Sequence, residues 1–123
     1  MTPDEDRIAE LYAAINARDL DATVSCYAPD ARFVDGLEGG DIEGREAIRA
    51  HFAHLFETIR VEISVIDLTH RPDGRLRARL QVVTRGPGGG FWQDGEVTAW
   101  YRLNRGLIAE QDVDDSGRDE NAP

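Results

Sequence analysis

The strongest constraint on the fold is a change of period near residue 60. Before it, apolar residues recur every three or four positions, as in Ile8, Leu11, Tyr12 and Ile15, and again in Ile48, His51, Phe52, Leu55, Phe56 and Ile59. After Val61 they recur every second position, most cleanly from Arg75 to Thr84, where Leu76, Ala78, Leu80 and Val82 alternate with Arg75, Arg77, Arg79 and Gln81. A helix buries a stripe of period 3.6 and a half-buried strand alternates, so helices come first and strands follow. Such an order predicts an α+β fold, with helices packed on one face of a curved antiparallel sheet.

The punctuation agrees. Thr2-Pro3-Asp4-Glu5 has the residues of a capping box with proline at the first helical position, and that helix should end near residues 16–18. Asp19 can cap a second, short helix with Leu20, Val24 and Tyr27 inward, broken by Ala28-Pro29-Asp30. Strands are expected over residues 31–35, 41–43, 61–70, 75–84, 93–103 and 107–114. Between the last two, Asn104-Arg105-Gly106 supplies a tight turn. The glycine-rich segment Gly36-Leu37-Glu38-Gly39-Gly40 is a candidate pocket rim, and Trp92, after the Gly86–Gly90 loop, a candidate lid. Residues 1–115 read as a single domain and 116–123 as an acidic, flexible tail.

With 24 acidic against 14 basic side chains, the net charge of −10 repels nucleic acid and anionic membrane surfaces. The expected ligand is therefore neutral or weakly charged. No apolar run reaches the roughly 18–20 residues of a membrane span, and no signal peptide precedes the first helix, so a cytoplasmic protein is expected. A single cysteine, Cys26, excludes an internal disulfide and reads as a small buried residue. Three histidines without compact spacing argue against zinc, so no metal or cofactor is expected. The glycine loop lacks the lysine and following helix of a phosphate cradle, and no nucleophile elbow is present.

Two residues stand out against their surroundings. Asp35 ends an apolar strand, where a carboxylate is costly to bury without a partner or a purpose. His51 interrupts the buried stripe of the third helix. A desolvated aspartate has a raised pKa, as a base working near neutral pH requires, and a histidine can donate a proton or hold a substrate oxygen. The plainer readings are a turn-capping aspartate and a hydrogen-bonded core histidine.

Tyr27-Ala-Pro-Asp-Ala-Arg-Phe33-Val-Asp35, followed by Gly44-Arg-Glu-Ala-Ile48 and Tyr101-Arg-Leu-Asn-Arg-Gly-Leu-Ile108, resembles the nuclear-transport-factor-2-like superfamily, in its SnoaL-like and ketosteroid-isomerase-like branch. The likeness runs from about Ile8 to Val113. It implies a sheet wrapped around the N-terminal helices to form a cone-shaped pocket, a cystatin-like α+β barrel. Ketosteroid isomerase pairs an aspartate base with an oxyanion hole of tyrosine and protonated aspartate. The base falls on Asp35. The tyrosine position falls on Leu11, with Tyr12 as its neighbouring substitute, and the second aspartate falls on Ala99 and is absent. His51 occupies an apolar pocket position of the family. On the last strand the resemblance turns Leu107, Ala109, Gln111 and Val113 inward. It also implies a homodimer through the outer sheet face, with Arg77, Arg79 and Trp100 as interface candidates.

Fold does not decide reaction. The catalytic set expected is Asp35, His51 and Tyr12, with Tyr27, Phe33, Phe52, Phe56, Ala99, Tyr101 and Gln111 around the substrate. The expected function is a small cofactor-free enzyme of isomerase, cyclase or dehydratase type, acting by acid–base chemistry on a neutral molecule with a carbonyl, hydroxyl or epoxide. The alternative is a non-catalytic binding protein on the same fold.

Overall fold

The structure, a computed structural model, describes residues 2–35, 40–86, 88 and 90–114, and for residues 35, 91–93 and 114 the backbone alone. The expectations about residues 36–39, residues 87 and 89 of the glycine loop, the Trp92 lid and the tail of residues 116–123 lie outside the described residues.

The elements follow the change of period. Helix α1 (Pro3–Ala17) opens with the full Thr2–Glu5 capping box and closes on Arg18 in the left-handed conformation, φ 58°. Helix α2 (Leu20–Ser25) is capped by the Asp19 side chain, which accepts from the Ala22 backbone N–H. Strands β1 (Tyr27–Asp35) and β2 (Gly40–Glu43) precede α3 (Arg45–Thr58), and β3 (Arg60–His70), β4 (Leu76–Arg85), β5 (Phe91–Asn104) and β6 (Leu107–Asp114) complete the chain. The β5–β6 turn places Arg105 at φ 56° and Gly106 at φ 79°, the pair of positive angles that a two-residue primed turn requires.

The expected cone-shaped, all-antiparallel barrel is overturned. One six-stranded sheet runs in the order β2-β1-β6-β5-β4-β3, and its edge strands β2 and β3 do not pair, so it is open. A barrel needs that last ladder. The sheet is also mixed, because β1 and β6 are parallel while the other ladders are antiparallel. Parallel neighbours require a long crossover. Here the chain leaves one edge through α3, enters the other edge at β3, and returns by the β3-β4-β5-β6 meander to meet β1.

Two local expectations change as well. Tyr27 is the first residue of β1, not the end of α2, and Ala28-Pro29-Asp30 lies inside that strand, where the β1–β6 register slips between Tyr27 and Arg32. Pro29 and Asp30 are exposed there, as suits a proline with no N–H to give a ladder. On β6, Ile108 is fully buried, whereas Leu107 and Ala109 are half-buried. The register steps from Arg102↔Glu110 to Leu103↔Ile108, leaving Ala109 as an extra residue. That bulge changes which residues face inward, so strict alternation fails before Gln111 and holds after it.

Ile8, Leu11, Tyr12 and Ile15 of α1 and Ile48, Phe52 and Phe56 of α3 share one core with Leu76, Ala78 and Leu80 of β4 and Ala99 and Tyr101 of β5. The helices therefore cover one sheet face, and their side chains do not fill all the space above it.

Candidate functional site

The unfilled space is a cavity of about 260 Å³ between α1, α3 and the sheet. Helix α1 contributes Tyr12 and Ile15, and α3 contributes His51, Phe52 and Leu55. Both sets lie on the stripes that pack against the strands. The sheet contributes Phe33, Ala99, Tyr101 and Gln111 together with aliphatic side chains of β3 to β6. Seven residues singled out from sequence thus meet at one cavity: Tyr12, Phe33, His51, Phe52, Ala99, Tyr101 and Gln111. Tyr27 and Phe56 are buried without lining it. Tyr27 sits against Phe52, ring centroids 6.1 Å apart, and Phe56 packs on the same ring at 6.0 Å. The rest of the lining is an aliphatic wall, including Val61, Ile63, Leu80 and Val82, that the expected substrate set does not contain. Their alternation was legible, but it marks burial without saying whether the buried face meets side chains or a space.

The polar groups of this apolar cavity are few and paired. The Tyr12 and Tyr101 hydroxyls hydrogen-bond to each other, with their rings edge to face at 6.3 Å and 72°. The Tyr27 hydroxyl donates to Gln111 Oε1. Burial raises the pKa of all three tyrosines above the ordinary value of 10.0, so they are neutral donors across the physiological range. His51 is half-buried, with Phe33 and Phe52 each 5.1 Å from its ring. Asp35 closes β1 in register with Gly40 of β2 and Val113 of β6, and Val113 lines the cavity. The Asp35 side chain lies outside the described residues. Ala99, where the resemblance would place a second acid, is fully buried on the cavity wall.

A sequence model of the SnoaL-like domain matches residues 8–111, which spans nearly all of these elements. The chain belongs to the SnoaL-like family. No curated protein has a matching sequence. Solved structures of similar fold include TerC co-crystallised with polyporic acid, with a TM-score of 0.79, 17% identity and coverage of 91% of this chain and 90% of that one. RV0760c from Mycobacterium tuberculosis, solved with estradiol-17beta-hemisuccinate, has a TM-score of 0.79 at 19% identity, covering 92% and 93%. A computationally designed 17-OHP binder has a TM-score of 0.79 at 20% identity, covering 92% of each. At such identities the likeness is one of fold.

The remaining candidates of this SnoaL-like domain lie away from the cavity. His54 is exposed, and His70 pairs with Glu5 at 3.2 Å. Cys26 is buried, and desolvation raises its pKa, which makes it a poor nucleophile. Among the described residues no group of three His, Cys, Asp or Glu side chains is placed to hold a metal ion, and no helix is long and apolar enough to cross a membrane. On the outer sheet face, Arg75 and Arg77 lie over the Trp100 ring at 4.8 and 5.7 Å, and Arg79 bridges Asp67 at 2.6 Å and Glu96 at 3.1 Å.

Proposed function

We propose that this SnoaL-like domain is a small enzyme that takes a neutral, mostly apolar molecule bearing a carbonyl, hydroxyl or epoxide and acts on it by general acid–base chemistry. The observation that carries this reading is the cavity itself. Aliphatic and aromatic walls surround a hydroxyl pair that shares a single hydrogen bond. Two hydroxyls joined this way leave one O–H hydrogen uncommitted, and neither tyrosine has another side-chain partner among the described residues. That hydrogen is available to an oxygen of the ligand, and in an apolar site it stabilises developing negative charge more than it would in water.

Asp35 is assigned the role of base. It stands two residues beyond Phe33 on one strand, and period-two alternation assigns positions 33 and 35 to the same face. His51 and Tyr12 are assigned to protonate or hold the substrate oxygen. The reaction class is isomerisation, aldol-type cyclisation, dehydration or epoxide opening.

A non-catalytic binder is the second reading, favoured by the alanine at position 99. The wall there offers shape without a second acid, and shape is all a binder needs. The estradiol-17beta-hemisuccinate held by RV0760c, and the 17-OHP taken by the designed binder, fit either reading.

Exchange of the α-hydrogens of 2-tetralone in D₂O separates the two without knowledge of the natural substrate. The wild-type protein is expected to accelerate exchange over buffer by about 10²–10⁴-fold, the range of a positioned general base. Asp35→Asn is expected to remove that acceleration. Exchange undiminished in Asp35→Asn would remove Asp35 from the mechanism, and wild-type exchange no faster than buffer would leave the binding reading.

A further inference from the structure

The carboxamide of Gln111 is a buried polar group on the cavity wall whose two ends face different tasks. Its Oε1 accepts from the Tyr27 hydroxyl, and Gln111 makes no other side-chain hydrogen bond among the described residues. Tyr27 is fully buried, and its hydroxyl has Gln111 as its single partner among those residues. A buried phenol needs an acceptor for its O–H, so the amide must turn its oxygen toward Tyr27. The nitrogen then points away from Tyr27, and Gln111 lines the cavity.

The backbone at Tyr27 is itself anchored. The Tyr27 carbonyl accepts from Arg45 Nε at 2.9 Å, and the Cys26 carbonyl beside it accepts from the Ile108 backbone N–H at 2.9 Å. Gln111 stands directly opposite Tyr101 in the β5–β6 register. Directly opposed residues on a sheet face carry their Cβ atoms about 4.5–5.5 Å apart. The Gln111 and Tyr101 side chains therefore start side by side, and the amide and the Tyr12–Tyr101 pair line one cavity, each with hydrogens to give.

We infer that Gln111 is a specificity-determining donor, with Tyr27 as its positioning residue, and that the two select ligands carrying an sp² oxygen at this end of the cavity. A carbonyl oxygen has two lone pairs in one plane and accepts from two adjacent donors at once. A hydrocarbon of the same shape leaves both donors without partners. This deepens the proposed function and rests on it, because it assumes that the cavity admits apolar ligands.

The test is the binding of 2-tetralone and of tetralin, which lacks the carbonyl. Isotope-edited infrared spectra of carbonyl-¹³C 2-tetralone are recorded on the wild type, Gln111→Met and Tyr27→Phe. Tetralin binding reads the cavity alone. The wild type is expected to prefer the ketone by about tenfold or more and to shift its carbonyl band to lower frequency. Gln111→Met should lose most of the preference and part of the band shift. Tyr27→Phe frees the amide to rotate and should give an intermediate band position, which loss of packing alone would not produce. Should either single variant fold poorly, Tyr27→Phe/Gln111→Met removes both polar partners together and is expected to behave as Gln111→Met. Preference and band position unchanged in Gln111→Met or in the double variant would overturn the inference while the cavity reading stood. Failure of tetralin to bind the wild type would overturn both.

Discussion

Removing one hydroxyl of the Tyr12–Tyr101 pair should cost more than removing both in proportion. The two residues stand 89 positions apart in sequence, and each is the other's side-chain partner. Tyr101 is fully buried and Tyr12 nearly so, at 5% exposure. In Tyr12→Phe the Tyr101 hydroxyl loses its partner and stays desolvated, a loss of about 1–3 kcal/mol. Because both residues line the cavity, water entering it offsets part of this, which places each single variant near about 1–2 kcal/mol. The edge-to-face ring contact survives a change to phenylalanine, so the hydroxyl is isolated as the variable.

In Tyr12→Phe/Tyr101→Phe no orphan remains, and the expected loss is within about 1 kcal/mol of the wild type. The coupling energy should therefore be at least about 1 kcal/mol, with the double variant more stable than the sum of its parts. Urea unfolding measures it. With a slope of about 1.5 kcal/mol per molar, each single variant shifts the midpoint by about 1 M. A double variant whose loss equals the sum of the two single losses would show that the hydroxyls do not act as a pair, and the donor argument for the cavity would fail with it.

Three further outcomes are expected. Burial raises the folded-state pKa of Tyr12, Tyr27 and Tyr101 above 10.0, so the fold favours their protonated forms. Their contribution is complete below the unfolded value and is lost as pH rises past about 10. Tyrosinate absorbance should accordingly appear together with unfolding, and smooth titration near pH 10 of the intact fold would contradict it. Asn16 Nδ2 donates to the Ile63 carbonyl at 2.9 Å and its Oδ1 accepts from the Ile63 N–H at 2.8 Å, tying α1 to the edge strand β3. Asn16→Ala should cost about 1 kcal/mol and speed amide exchange at Ile63, and unchanged exchange would show that the clamp is idle. The outer face of Arg77, Arg79 and Trp100 is proposed as a homodimer surface. Light scattering should find a dimer that Trp100→Glu converts to monomer, and a dimer that persists in the variant would move the interface elsewhere.

Local chemistry determined a large part of this SnoaL-like domain. Thr2 and Asp19 cap their helices, Arg105-Gly106 makes its turn, and Leu76, Ala78 and Leu80 face inward, because capping, turn geometry and side-chain period each depend on a few consecutive residues. Tyr12, His51, Tyr101 and Gln111 could be picked out for the same reason, each being polar on an apolar stripe or strand face. Pairing over long separations could not be read in this way. Nothing near Tyr27 announces that it will hold Gln111, 84 positions away, or that β1 will meet β6 in parallel in an open sheet. Nor does any residue near Ala109 mark the bulge that turns Ile108 inward, since a slip of one residue reverses every side chain before it. The sequence by itself decided which groups could do chemistry; the order in which strands met decided which of them share a cavity, because contacts between distant segments depend on how the whole chain packs.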